Sequence, residues 1–249
     1  MHPHRLEIDA GNSAVKWRLR AAGATLAAGR VAHADFAQCM AALAQEQNLG
    51  DCAWAVSVAG AAIEQKIRDA LREVGVPQVK FAQVARQRAG VRCAYEDLSC
   101  LGPDRWLAVL AAATEHAGPL LVVDCGTALT LDLVSADKQH CGGFILPGWA
   151  LLAAALQRGT AIPTAHIPAD FAPLAIAPGC STNDAVGMGR LLGLTAAIEQ
   201  AAQQHRQREQ AEVRIIMTGG DAERLRSLLR GDTVFRPDLV LDGLAIALG

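Results

Sequence analysis

The sequence predicts an α/β protein built from two similar halves, each with a mixed sheet opened by a three-stranded meander, and with a cleft between the halves. Three observations carry the prediction. First, Leu6-Glu7-Ile8-Asp9-Ala10-Gly11-Asn12-Ser13 recurs as Val122-Val123-Asp124-Cys125-Gly126-Thr127-Ala128, around the pattern apolar-x-Asp-x-Gly-[Asn/Thr]. A domain-sized interval separates the copies, as a duplicated α/β unit requires. Second, each copy opens a run of three strand candidates, with helices and further strands behind it. Third, the turn dipeptide Gly118-Pro119 lies between the copies and sets the halves at 1–117 and 118–249.

The elements follow in order. Leu6 and Ile8 alternate with polar neighbours, Asp9 to Ser13 supplies turn residues, and Val15, Trp17 and Leu19 alternate with Lys16, Arg18 and Arg20. This is strand, tight turn, strand. Thr25 to Val31 gives a third strand, Asp35 to Gln47 a helix, Cys52 to Val58 a buried strand and Ile63 to Val74 a helix. A helix starts near Pro103, because proline followed by Asp104 suits a first turn. In the second half, Leu120 to Asp124, Leu129 to Val134 and Gly142 to Leu146 are strands, and Trp149 to Gln157 is an apolar helix. Thr182 to Gln203 is the longest helix. Its following charge run, His205 to Glu209, reads as a solvated helix end. Val213 to Met217 is a strand stopped by Thr218-Gly219-Gly220, and Asp221 to Leu229 a helix.

Composition narrows the class. Of 249 residues, 51% are hydrophobic and 19% charged, enough for a large core and too apolar for disorder. A net charge of −2 gives no electrostatic footprint for nucleic acid. The seven cysteines are odd in number and form no Cys-x-x-Cys pair, so a disulfide framework or zinc site is not expected, and reduced thiols are. No signal-peptide core and no run of bilayer-spanning length occurs, so the expectation is a cytoplasmic protein without a membrane partner.

The motifs point to phosphate. An Asp-x-Gly hairpin tip turns sharply and exposes backbone amides, which with neighbouring hydroxyls can cradle phosphate oxygens. Asp9 repels phosphate but can bind the Mg²⁺ that rides on it. Lys16, on the returning strand, can neutralise a transferring phosphoryl group. One Asp-x-Gly is an ordinary turn; two copies followed by a strand ending in Gly219-Gly220, where a flat adenosine can approach, make a set. In that order the three elements resemble the actin/hexokinase/Hsp70 superfamily, whose duplicated domains are ribonuclease-H-like. No Gly-x-x-x-x-Gly-Lys-[Ser/Thr] occurs, which excludes a P-loop kinase. Gly187, Gly189 and Gly193 are mis-spaced for a dinucleotide fingerprint and read as small residues for helix packing.

Within the superfamily the chain resembles the type III pantothenate kinases. Gly102-Pro103-Asp104-Arg105 matches their Gly-x-Asp-Arg motif, and Asp9-Ala10-Gly11-Asn12-Ser13-Ala14-Val15-Lys16 their N-terminal phosphate segment. Asp124-Cys125-Gly126-Thr127, Gly142 to Gly148 and Thr218-Gly219-Gly220 match in the same order, so the likeness covers essentially the whole chain. The resemblance implies ATP-dependent phosphorylation of pantothenate, with Asp104 as proton acceptor and Arg105 facing the pantothenate carboxylate. It also implies that Tyr95 and Thr182 line the substrate pocket with Gly102 and Pro103, that Thr127 contacts ATP, and that Asp124 binds K⁺ or NH₄⁺. A homodimer with the pocket at the subunit interface is implied too. Plainer roles stand beside these. Asp104 suits a helix dipole, Arg105 a surface ion pair, Thr182 a helix cap and Asp124 a turn cap. Tyr95 could pack in the core, and Trp149 to Leu156 serves either an interface or the core. Two other readings stay open: a kinase for another small molecule such as a sugar, and a non-catalytic accessory regulator of gene expression.

Overall fold

The structure is a computed structural model and describes residues 4–160, 162 and 175–249. Contacts group the chain into two units: Met1–Ala89, Tyr95–Ala111 and Leu239–Gly249 form the first, Gly90–Ala94 and Ala112–Asp238 the second.

The first unit begins with β1 (Arg5–Ala10), β2 (Val15–Ala21) and β3 (Ala24–Val31), then α1 (Phe36–Glu46), β4 (Cys52–Ser57), α2 (Ala61–Glu73) and β5 (Gln78–Phe81). The two-residue strands β6 (Gln87–Arg88) and β7 (Val91–Arg92), the latter grouped with the second unit, precede α3 (Pro103–Glu115), which belongs to the first unit as far as Ala111. The sheet order is β3-β2-β1-β4-β5. The meander is antiparallel, whereas β4 runs parallel to β1 and β5 parallel to β4. Alternation assigns the two faces. Leu6, Ile8 and Ala10 of β1 join Trp17 and Leu19 of β2 against Phe36 and Met40 of α1 and Ile67 and Leu71 of α2. Each such side chain contributes about 1.5–3 kcal/mol on burial. Glu7, between them, points the other way and is fully buried. It pairs there with Arg18 at 2.6 Å, and Arg18 reaches Asp242 at 2.8 Å. Asp242 belongs to α7 (Leu239–Leu248), the last element of the chain, which thereby covers the second face of the first sheet.

The second unit repeats the plan with β8 (Leu120–Cys125), β9 (Ala128–Val134), β10 (His140–Pro147), α4 (Trp149–Gly159), α5 (Thr182–Glu209), β11 (Arg214–Thr218), α6 (Ala222–Arg226) and β12 (Thr233–Phe235). Its order is β10-β9-β8-β11-β12, again with an antiparallel meander and parallel β11 and β12. The repeated motif therefore opens the central strand of each sheet. Leu121, Val123 and Cys125 of β8 pack with Leu191, Leu194 and Ile198 of α5.

Two expectations are adjusted. The run His205 to Glu209 is the end of α5, with Gln207 and Arg208 exposed as expected, but His205 is fully buried with Nε2 2.9 Å from the Val134 carbonyl oxygen. The helix is long enough to carry that turn back over β9, which charge content alone conceals. Of the three glycines expected to serve helix packing, Gly187 is buried, whereas a Cβ added at Gly189 or Gly193 meets nothing within 4 Å. No helix among the described residues is long and apolar enough to cross a membrane.

Candidate active site

The candidate residues fall into clusters that each unit builds by itself. In the first, β1 and β2 pair in register from Arg5 with Arg20 to Ala10 with Val15, which puts Asp9 directly opposite Lys16. The tip closes with the Gly11 N–H donating to the Ala14 carbonyl at 3.1 Å. Asn12 and Ser13 are exposed at its apex. On the other side of the tip, His33 Nε2 lies 2.9 Å from the Gly11 carbonyl oxygen, a contact that no sequence pattern announces. A carboxylate and an ammonium at the base of an exposed, glycine-turned tip can address a metal-bound phosphate chain.

The first turn of α3 forms the second cluster. Pro103 is the first helical residue, and Gly102 stands before it, with its carbonyl accepting from the Trp106 N–H at 3.1 Å. A Cβ on Gly102 would come within 2.6 Å of Asp104 Oδ1, so glycine leaves the carboxylate its place. That same Oδ1 accepts from the Arg105 N–H at 2.8 Å. Asp104 thus satisfies an open amide of the helix start while remaining half-buried, so the helix-start role and an acceptor role coexist. Arg105 is only 7% exposed, which rules out a plain surface ion pair. Its Nη1 donates to the Tyr95 hydroxyl at 3.3 Å, with the guanidinium 5.9 Å from the ring centroid. Tyr95 is therefore neither core filler nor isolated. Its backbone is held by Arg86, whose Nη1 and Nη2 donate to the Tyr95 and Glu96 carbonyls at 2.5 and 2.6 Å. Arg86 went unread in the sequence because a side chain that grips carbonyls leaves no residue pattern.

The second unit builds its cluster at the end of β8. Asp124 pairs in register with Thr130 on β9 and Thr218 on β11, the positions that Lys16 and Val56 hold around Asp9. The tip repeats the first one, with the Gly126 N–H donating to the Ala128 carbonyl at 3.1 Å. Thr127 is exposed at the turn and Asp124 half-buried below it. Gly219, at φ +93°, lies so close that a Cβ there would stand 2.5 Å from both Asp124 Oδ1 and the Cys125 carbonyl oxygen. Gly219 is thus required where the chain leaving β11 passes the carboxylate. Burial, aided by the nearby Asp124 and Asp221 charges, drives the Cys125 thiol far above its ordinary range, so it stays neutral. Thr182 is the first residue of α5 and is exposed; the cap is Ser181, whose hydroxyl accepts from the Asp184 N–H at 3.1 Å. Among the described residues no three His, Cys, Asp or Glu side chains gather as a metal cage.

Comparison with known proteins gives these clusters a context. The family model described as type III pantothenate kinase matches residues 5–204. The type III pantothenate kinase of Pseudomonas putida is 38% identical over 246 residues, covering 97% of this chain and 98% of its own. That of Hahella chejuensis is 35% identical over 244 residues, covering 97% and 95%. Among solved structures, one described as a 2-dehydro-3-deoxygalactonokinase from Sinorhizobium meliloti has TM-score 0.63 at 18% identity, covering 98% of this chain and 95% of that one. A glucokinase from an Antarctic psychrotroph has TM-score 0.51 at 12% identity, covering 100% and 99%. Likenesses this remote speak for the fold alone, and the fold is that of the actin/hexokinase-type kinases. The full-length sequence match goes further: this chain belongs to the type III pantothenate kinase family.

Proposed function

We propose that the chain transfers the γ-phosphoryl group of ATP to the primary hydroxyl of pantothenate, the first step toward coenzyme A, with Asp104 as the proton acceptor. The observation that carries the assignment is the first turn of α3, where Asp104 stands beside a buried Arg105 that meets the Tyr95 hydroxyl at 3.3 Å. A carboxylate that accepts a hydrogen bond from the substrate hydroxyl aims it at the γ-phosphorus and takes its proton as the bond forms. Arg105 offers a planar fork to the pantothenate carboxylate, with Tyr95, Gly102, Pro103 and Thr182 as the other pocket residues.

Asp9 to Lys16 and Thr127 are assigned to ATP. A kinase of this family works on ATP with a divalent metal. With no protein cage for one among the described residues, Mg²⁺ would ride on the phosphates beside Asp9. Around Asp124 the neighbouring donor is the Cys125 carbonyl, while the Cys125 thiol stays neutral. That oxygen set suits a loosely held K⁺ or NH₄⁺. A homodimer with the pocket at or near its interface is supported by apolar surface on the second unit. Phe144 and Ile145 on the edge strand β10, Leu151 on α4 and Leu192 on α5 are 48%, 63%, 43% and 57% exposed, and α4 has no buried residue. Beside Leu192, the uncovered Gly189 and Gly193 leave room for a partner's close approach. A cytoplasmic setting accords with seven free cysteines.

A coupled assay with ATP and pantothenate, run against a panel of sugars and in K⁺, NH₄⁺ and Na⁺ salts, tests the reading. Turnover on pantothenate alone, raised by K⁺ or NH₄⁺ but not Na⁺, is expected. Turnover on a sugar instead would overturn the substrate assignment, and equal rates in all three salts would remove the cation site.

A further inference from the structure

Trp149 opens α4 directly after Gly148, and two guanidiniums lie over its indole: Arg190 of α5 at 3.6 Å from the ring centroid and Arg224 of α6 at 4.6 Å. Arg190 also donates from Nη1 to the Trp149 carbonyl at 3.1 Å. It is 7% exposed, its Nε finds no partner, and no carboxylate pairs with it among the described residues. Burial and the neighbouring Arg224 charge lower its affinity for the proton, against a smaller opposing pull from Asp221. A buried cation offset only by the weaker pull of Asp221, which is itself paired with Arg224, is costly, and like charges over one ring repel. The cation–π attraction offsets part of this. The arrangement is therefore poor as a stability device and calls for another reason.

Three loops meet at the stack. The Gly148 N–H donates to the Thr127 carbonyl at 3.0 Å, which ties the start of α4 to the second hairpin tip. Gly148 sits so tightly there that a Cβ would fall on the Gly126 and Thr127 carbonyl oxygens. Arg224 donates from Nη1 to Asp221 at 2.9 Å, and the Asp221 N–H donates to the Cys125 carbonyl at 3.1 Å. The tip at 124–127 is thus bonded to the turn at 147–149 that carries the indole, and the glycine loop at 218–221 is linked to the tip through Asp221 and to the indole through Arg224.

We propose that Arg190 is a positioning residue for the nucleotide: through Trp149 it holds the Gly126-Thr127 tip and the Gly219-Gly220 loop in the conformation that receives ATP. The inference rests on the reading of those loops as ATP contacts. An ordered loop binds without first losing its freedom, so the benefit belongs to ATP affinity and not to the phosphoryl step or to pantothenate.

The test is titration calorimetry of ATP with Mg²⁺, together with steady-state kinetics and melting temperatures, on wild type, Arg190→Met, Arg190→Lys and Trp149→Phe. Methionine keeps an apolar chain against the indole, so the fold should persist while the carbonyl bond and the charge are gone. The Kd for ATP should rise about tenfold in Arg190→Met. KM for pantothenate and kcat at saturating ATP should stay within about twofold. Lysine, which keeps a cation on the ring, should recover much of the loss, and Trp149→Phe should weaken ATP modestly. Unchanged ATP affinity in Arg190→Met, in a protein whose wild type binds ATP, would overturn the inference alone. So would an affinity loss that only follows the melting temperature and that lysine does not rescue. A wild type that does not bind ATP would overturn the functional reading as well.

Discussion

At the scale of single residues, adjacent side chains are assigned separable tasks. Asp104→Asn keeps size and one oxygen, so the acceptor of the Arg105 N–H survives and the helix start should stand. What it loses is basicity. Turnover should fall roughly 10²- to 10⁴-fold while circular dichroism and ATP binding stay as in wild type. Near-normal turnover would remove Asp104 as the base. Arg105→Ala should instead raise KM for pantothenate, since a carboxylate contact made before and during the reaction is uniform binding. The motif that suggests both roles was legible because its residues are contiguous. Arg86, Arg190 and Arg224 were not, because each acts on a backbone carbonyl or a ring brought near by folding, and nothing in their local sequence distinguishes them from surface arginines.

At the scale of elements, the hairpin tips are defined by glycine placement. Gly148→Ala would press a methyl group onto the Gly126 and Thr127 carbonyl oxygens. It should cost about 1–3 kcal/mol in urea unfolding, as overpacking does, and also weaken ATP binding. An alanine variant that matches wild type in both would show that the tip yields without consequence. The long elements were readable from periodicity: β1, β2, β8, β9 and α1 lie within a residue or two of their expected bounds, and α3 starts at the proline that announced it. The strands β5 and β12 have four and three residues, too few for alternation to register. At the end of α5 only the burial of His205 was missed, for a different reason. Charged residues on the outer side of its last turns outnumber the buried His205 that ties the helix to β9.

At the scale of the molecule, the duplication seen in the sequence reappears as one strand order used twice. The return of α7 to the first sheet was not visible, since it depends on Arg18 meeting a carboxylate from the far end of the chain. Burial opposes the charge on Arg18, but bonds to Asp242 and Glu7 prevail and raise its hold on the proton. Asp242→Ala would remove one of the carboxylates that Arg18 meets. The expected loss is about 2–4 kcal/mol, somewhat below that for breaking a wholly buried pair because Asp242 is 20% exposed. An unchanged urea midpoint would show the pair to be neutral. The same helix has a consequence for how the protein is made. Synthesis delivers β1 to β5 well before α7, so the N-terminal sheet waits on the order of ten seconds or more, at translation speeds of roughly 5–20 residues per second, for the helix that completes it. During that interval the nascent chain carries Glu7 and Arg18 on an uncovered face. A ribosome stalled before Leu239 should therefore hold a protease-sensitive N-terminal half that becomes resistant only when the final helix emerges.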